Sequence, residues 1–241
     1  MGSSSAPALA VRVPPELAFL LRSQDRSARE RRLGYDPDAT VAHVVQAAGV
    51  PLTEVGGVRV DGAPVPLSSR TGPGALVEVD PVPRPQPVPS GGFLLDVGLG
   101  TLARRLRLLG LDAAWSDDAE DADLAARAAA EDRVLLTQDR GLLMRRGVCG
   151  ALVRGGRPDD QLTDVLDRFA PALAPLTRCT ACGAGLERVA KAAVADLLPP
   201  GTRRTFDDFS RCPACGQVYW HGAHARRIEA LVGRAARQVG G

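Results

Sequence analysis

Lysine is almost missing from this chain: of 30 basic side chains in 241 residues, 29 are arginine and only Lys191 is lysine. With the heavy Ala and Gly content, that skew reads as the codon bias of a GC-rich genome, so each arginine says less about function than it would in a mixed Lys/Arg protein. Aromatic residues are also scarce, at 4%, but 45% hydrophobic and 24% charged residues still describe a globular chain and exclude a disordered or fibrous one. No apolar run approaches the roughly 18 residues that span a bilayer, which excludes a helical membrane protein. The first ten residues lack the basic n-region and apolar stretch of a signal peptide, so a cytoplasmic location is expected. Five cysteines are too few for a disulfide-dense scaffold. Finally, 30 basic against 28 acidic residues leave a formal charge of +2, so no global polycation advertises a nucleic-acid partner.

What is present divides the chain. Pro81, Pro83, Pro85, Pro87 and Pro89 alternate with other residues and lead into Ser90-Gly91-Gly92. Such a stretch supports neither helix nor central strand and is expected to be an extended, semi-rigid linker over 81–92. It separates 1–80 from 93–241. Charge divides the second part again: 93–177 carries 11 basic and 14 acidic residues, whereas 178–241 carries 10 basic and 5 acidic. The near-zero total therefore hides an acidic and a basic segment.

The pattern in 1–80 predicts strands over 8–13 and 29–35, a helix over 41–48 capped by Thr40 and stopped by Gly49, and a hairpin at Asp61-Gly62. A last strand covers 75–79. The order β-β-α-β-β is that of the β-grasp, and the segment resembles ubiquitin-like sulfur-carrier proteins. That resemblance implies a free terminal Gly-Gly for carrier chemistry, but Gly91-Gly92 is internal and Gly240-Gly241 follows other segments. A recognition role toward a protein partner is the better expectation. His43 is expected at the surface or in the core and not as a catalyst.

From Phe93 onward, strands and helices alternate. Short apolar strands are expected over 93–97, 111–115, 134–137 and 148–153, and helices over 101–109, 121–132, 141–146 and 159–169. Four β-α units of this kind imply an α/β fold with a parallel sheet covered on both faces. Ligands in such sheets bind beyond the carboxyl ends of the strands. Acids cluster there: Asp96 in the first strand, Asp117, Asp118, Asp121 and Asp123 after the second, Asp139 after the third, Asp159 and Asp160 after the fourth. Converging carboxylates repel unless a cation joins them, which points to Mg²⁺ or Mn²⁺. Helix capping and loop starts are the plain alternatives for Asp121, Asp123 and Asp139. Asp96 is harder to explain that way, because an acid that interrupts an apolar strand is costly unless paired.

The basic segment carries two C-x-x-C-G motifs, Cys179/Cys182/Gly183 and Cys212/Cys215/Gly216. Two such turns brought together supply the four thiolates of a structural zinc, and the glycine allows the tight turn after each pair. The long separation predicts an insertion around 198–209. Cys149 is expected to be a buried small hydrophobe, and His221 and His224 to be surface residues.

Several motifs occur in order: Phe93-Leu94-Leu95-Asp96, Leu99-Gly100-Thr101-Leu102-Ala103-Arg104, Leu106-Arg107-Leu108-Leu109-Gly110, Asp121-x-x-Leu124-x-x-x-Ala128 and Arg133-Val134-Leu135-Leu136-Thr137-Gln138-Asp139-Arg140. Together they resemble the PIN-like C-terminal RNase domain named after the Mut-seven exonucleases, over about 140 residues that include the cysteine segment. The resemblance implies a PIN-like α/β sheet over 93–177 and a zinc ribbon with a basic C-terminal helix over 178–241, and an N-terminal ubiquitin-like domain occurs in bacterial members. It also implies that Asp96, Asp121 and Asp139 hold a catalytic Mg²⁺ or Mn²⁺ for RNA hydrolysis, with Arg104, Arg107 and Arg140 as candidates to contact RNA phosphates. Relatives often carry Arg at the position of Gln138. A non-catalytic RNA-binding or adaptor protein of RNA processing or translation is the alternative reading, and sulfur transfer a third.

Overall fold

The computed structural model describes residues 7–222 and 225–240, so His224 and Gly241 lie outside the described residues. In chain order the elements are β1 (Ala8–Arg12), β2 (Glu30–Gly34), α1 (Val41–Ala48), β3 (Val55–Val60), β4 (Ala63–Pro64) and β5 (Leu76–Pro81). There follow β6 (Phe93–Leu95), α2 (Gly100–Leu108), β7 (Ala113–Trp115), α3 (Asp121–Ala130), β8 (Val134–Thr137), α4 (Arg140–Leu143), β9 (Gly150–Leu152) and α5 (Pro158–Phe169). The remainder forms β10 (Glu187–Val189), α6 (Pro200–Thr205), β11 (Phe209–Arg211), β12 (Val218–Trp220) and α7 (Ala225–Val239). Contacts divide the chain into two units, Met1–Pro83 with Asp139–Leu152, and Arg84–Gln138 with Val153–Gly241.

The first unit is a five-stranded mixed sheet in the order β2-β1-β5-β3-β4. Its central pair, β1 and β5, is parallel, and the outer pairings are antiparallel. That is the β-grasp arrangement expected from the pattern. The α1 helix starts at Thr40, whose side chain accepts from the His43 N–H at 3.3 Å, and ends at Gly49 in the left-handed region (φ 102°). Val41, Val44, Val45 and Ala48 recur at helical spacing and are buried against Leu9, Val11, Val58 and Val77 of the sheet. His43 is exposed. The contact division places 139–152 with the first unit, where Leu143 and Leu152 are buried in the β-grasp core and Val148 packs on it.

In the second unit β7, β6 and β8 run parallel in that order, with Phe93 beside Ala113 and Val134. Every residue of β6 and β8 is buried, as strands covered on both faces require. The α2 helix buries Leu102, Ala103 and Leu106, and α5 buries Leu162, Val165, Leu166 and Phe169. The Phe169 ring meets Phe93 edge-on, with centroids 5.2 Å apart. The cysteine segment is a three-stranded antiparallel sheet, β10-β11-β12, over a small core of Val194, Leu198, Phe209 and Val218. The insertion between the cysteine pairs forms short helical turns and α6, and Leu198 joins that core.

The proline-rich stretch is extended, and from Arg84 it is strapped along α5. Its prolines face outward at 85 and 87, while Arg84, Gln86 and Val88 between them are half-buried. Arg84 Nη1 pairs with Asp164 at 2.8 Å and Asp167 at 2.7 Å. Gln86 exchanges two hydrogen bonds with Arg168, N–H to carbonyl at 2.6 Å and guanidinium to side-chain oxygen at 2.7 Å. Proline serves here because it gives up its own N–H while holding its neighbours in register. Loss of one partner from such a half-buried pair leaves two carboxylates uncompensated. Arg84→Ala is expected to lower unfolding stability by about 1–3 kcal/mol with an unchanged denaturant slope, measured by urea titration.

Candidate active site and metal centre

Asp96 sits where β6 ends, and both of its oxygens are held. Oδ1 accepts from the Val97 N–H at 2.6 Å, and Oδ2 accepts from the Thr137 hydroxyl at 2.5 Å. Thr137 ends β8 and is fully buried, so its hydroxyl needs a partner, and Asp96 is one. The acid that interrupts an apolar strand is thus paired at the carboxyl ends of two parallel strands. Each oxygen retains a further lone pair beyond these bonds, so the donor chemistry fits a hard cation. The pattern missed Thr137; the signal was a polar residue closing an otherwise apolar strand.

Asp121 opens α3, half-buried, with Asp123 exposed in the same turn. Asp139 is exposed and caps α4, accepting from the Gly141 N–H at 2.6 Å. The residue before it, Gln138, belongs to the second unit and donates its amide to the carbonyls of Val153 at 3.2 Å and Gly155 at 2.7 Å. Other acids have local roles: Asp118 accepts from the Ser116 hydroxyl, and Asp159 pairs with Arg105 at 2.7 Å.

The three arginines expected to meet RNA diverge. Arg104 is exposed on α2. Arg140 is exposed, with one nitrogen donating to the Leu20 carbonyl at 2.6 Å. Arg107 is 2% exposed and must be withdrawn from the set. Its Nε donates to the Ala113 carbonyl at 2.7 Å and its Nη1 to those of Thr180 and Ala181 at 3.3 and 2.6 Å. Burial lowers its pKa, against the opposing pull of the nearby sulfurs of Cys182 and Cys179. The guanidinium ties α2 and β7 to the first cysteine turn. Helical periodicity put Arg107 beside Leu106 without revealing which side would be covered by the ribbon. Cys149 departs from expectation too: it is exposed.

The four cysteines converge. Among the described residues they are the one group of at least three His, Cys, Asp or Glu side chains whose donor atoms all lie within 4.8 Å of one another. Cys179 and Cys215 sulfurs are 3.6 Å apart, and those of Cys182 and Cys212 3.4 Å. A tetrahedron with zinc–sulfur bonds of about 2.3 Å needs sulfurs about 3.8 Å apart. The two turns are built alike. Cys179 N–H donates to Ala184 and Cys212 N–H to Gln217, while Gly183 and Gly216 donate back to the carbonyls of Cys179 and Cys212. Gly183 and Gly216 have φ of 86° and 79°, the left-handed conformation for which glycine was expected.

Electrostatics separate the thiols. Burial pushes Cys179 up, but hydrogen bonds from the Tyr219 hydroxyl and the N–H groups of Cys182 and Ala181 outweigh it and bring this thiol down to about 6. The Ala184 N–H favours the Cys182 thiolate, yet burial and the crowded sulfurs of Cys212, Cys179 and Cys215 push it up to about 12. Cys179 is thus disposed to be the anion, and a metal must displace protons from Cys182 and Cys215.

A family model for the Mut7-C RNAse domain matches residues 91–232, and one for Mut7-C ubiquitin matches residues 6–87. The chain belongs to the Mut7-C RNAse domain family. No curated protein and no solved structure matches it. Mut7-C membership points to a nuclease-like function, and its ubiquitin model covers the β-grasp sheet described above. The Mut7-C RNAse match also runs through the four-cysteine cluster and into α7.

Two outcomes follow for this site. Arg107→Met leaves the buried Ala113 carbonyl and the part-buried carbonyls of Thr180 and Ala181 short of a donor, and is expected to cost about 1–3 kcal/mol in thermal or chemical unfolding. The salt dependence of RNA binding should stay unchanged in that variant, whereas loss of a phosphate contact would reduce the slope by about 1. Metal retention by the cysteines is expected to fall as pH is lowered, because protons compete for the thiolates, measured by chelator competition.

Proposed function

We propose that the protein is a metal-dependent ribonuclease that hydrolyses RNA phosphodiester bonds. Asp96, Asp121 and Asp139 are the carboxylates that hold Mg²⁺ or Mn²⁺, and Cys179, Cys182, Cys212 and Cys215 hold a structural zinc. The observation that carries this reading is the Asp96 carboxylate, fixed by Thr137 and the Val97 N–H at the carboxyl end of parallel strands, in a chain of an RNAse-domain family. A divalent ion bound by the acids would lower the pKa of water and stabilise charge developing on the phosphodiester. The protein's own part is to orient. Thr137 fixes the direction of Asp96, and the cap at Gly141 fixes that of Asp139. The exposed guanidinium of Arg104 and the free face of the Arg140 guanidinium contact RNA phosphates, which positions the strand without reading its sequence. Four thiolates complete a tetrahedral ion, so the cysteine centre leaves no position for a substrate and serves the fold.

The decisive measurement is cleavage of labelled single-stranded and structured RNA with Mg²⁺, with Mn²⁺ and with EDTA. Asp96→Asn and Asp139→Asn are each expected to reduce turnover by about a hundredfold or more while leaving the fold intact. Thr137→Val, which frees one Asp96 oxygen, should cost about 10- to 100-fold in activity or in affinity for the divalent ion. Cleavage that survives in both Asn variants would overturn the assignment. RNA binding without cleavage by the wild-type protein would establish the adaptor reading instead. Elemental analysis should find about one zinc per chain, lost in Cys212→Ser.

A further inference from the structure

We infer that the ubiquitin-like unit is the scaffold that sets the Asp139 carboxylate, with Glu54 and Gln46 as positioning residues; this deepens the ribonuclease reading and rests on it. Within that unit, the segment Asp139–Leu152 is fastened at its start, middle and end. Arg140, next to Asp139, donates to the Leu20 carbonyl at 2.6 Å. Gln46 of α1 donates its side-chain amide to the Met144 carbonyl at 3.3 Å. The Leu152 N–H donates to Glu54 Oε1 at 2.9 Å.

Each anchor is itself well placed. Glu54 is 0% exposed, and a buried carboxylate is costly unless its oxygens are used, so its bond to Leu152 is part of the fold. Gly49 lies beside the first anchor, where a Cβ would come within 3.3 Å of both Arg140 Nη1 and the Leu20 carbonyl. Leu143 and Leu152 complete the attachment by burying their side chains in the β-grasp core with Val44, Val45 and Leu20.

The α4 helix that Asp139 caps has only four residues, far below the length at which a helix is stable alone. Its geometry must come from what it packs on, and Leu143, one of its two buried side chains, lies in the core of the ubiquitin-like unit. A module that served only to recognise a partner would not share its core with a segment of the RNAse-domain match.

The test uses the full chain. Glu54→Ala is expected to speed amide exchange across 139–152 about tenfold and leave 134–137 unchanged. It should lower kcat on RNA about tenfold with KM little changed, since a displaced carboxylate impairs chemistry before binding. Glu54→Gln, whose amide oxygen accepts the same bond, should restore both. Unchanged exchange in 139–152, or full turnover despite a loosened segment, would overturn the inference. Absence of cleavage by the wild-type chain would defeat the ribonuclease reading, and exchange alone would then decide whether Glu54 holds the segment. Should Glu54→Ala not fold, Gln46→Ala removes only the Met144 bond and is expected to loosen 139–152 by a smaller factor.

Discussion

The second unit depends on one constraint: its central parallel strands, β6 and β8, are only three and four residues long and are buried throughout. A strand covered on both faces tolerates no unpaired polar group along its length. Polar chemistry is therefore expelled to the strand ends. Asp96 and Thr137 stand at two such ends and satisfy each other. The same constraint shapes the helices, whose apolar stripes close over the sheet, and the strap 84–90, whose half-buried residues pair with α5. A carboxylate hydrogen-bonded through both oxygens at the end of such a sheet is held in one direction without any loop having to order first.

How much of this could be read from the chain depended on whether a feature is local. The α1 helix, with a threonine cap and a closing glycine, is local, and pattern and structure agree on 41–48. The cysteine turns are local twice over, so spacing and glycine together announced a four-sulfur site that the fold brings within 4.8 Å. Arg107 was illegible for the opposite reason. Its three acceptors are six to 74 residues away, and helical periodicity marks only the stripe facing the sheet. Cys149 was misread because residue type alone argued for burial, whereas it is exposed just ahead of β9.

The segment 139–152 shows a subtler limit. Its helix-strand rhythm is indistinguishable from that of the β-α units before it, and the family match spans it. Rhythm reports the faces an element must bury but not the surface that buries them. Leu143 and Leu152 satisfy the pattern equally well in either core, and their side chains are buried in that of the β-grasp. Glu54 belongs to the same class of hidden feature. A lone glutamate in a short turn carries no motif, yet its burial and its bond to Leu152 make it one of the most constrained acids in the first unit.

The scarcity of lysine bears on how these arginines are used. A guanidinium offers five donors in a rigid plane and can serve several carbonyls at once, which a lysine ammonium cannot do with the same geometry. Arg107 exploits this while buried, and Arg84 serves two carboxylates in the same way. In a chain with 29 arginines, a nucleic-acid surface cannot be drawn by counting cations along a helix. It has to be drawn by removing those whose donors are already spent on the fold. Of the three arginines singled out by motif, that subtraction leaves Arg104 with its guanidinium open to solvent, Arg140 divided between the Leu20 carbonyl and solvent, and Arg107 with none to offer.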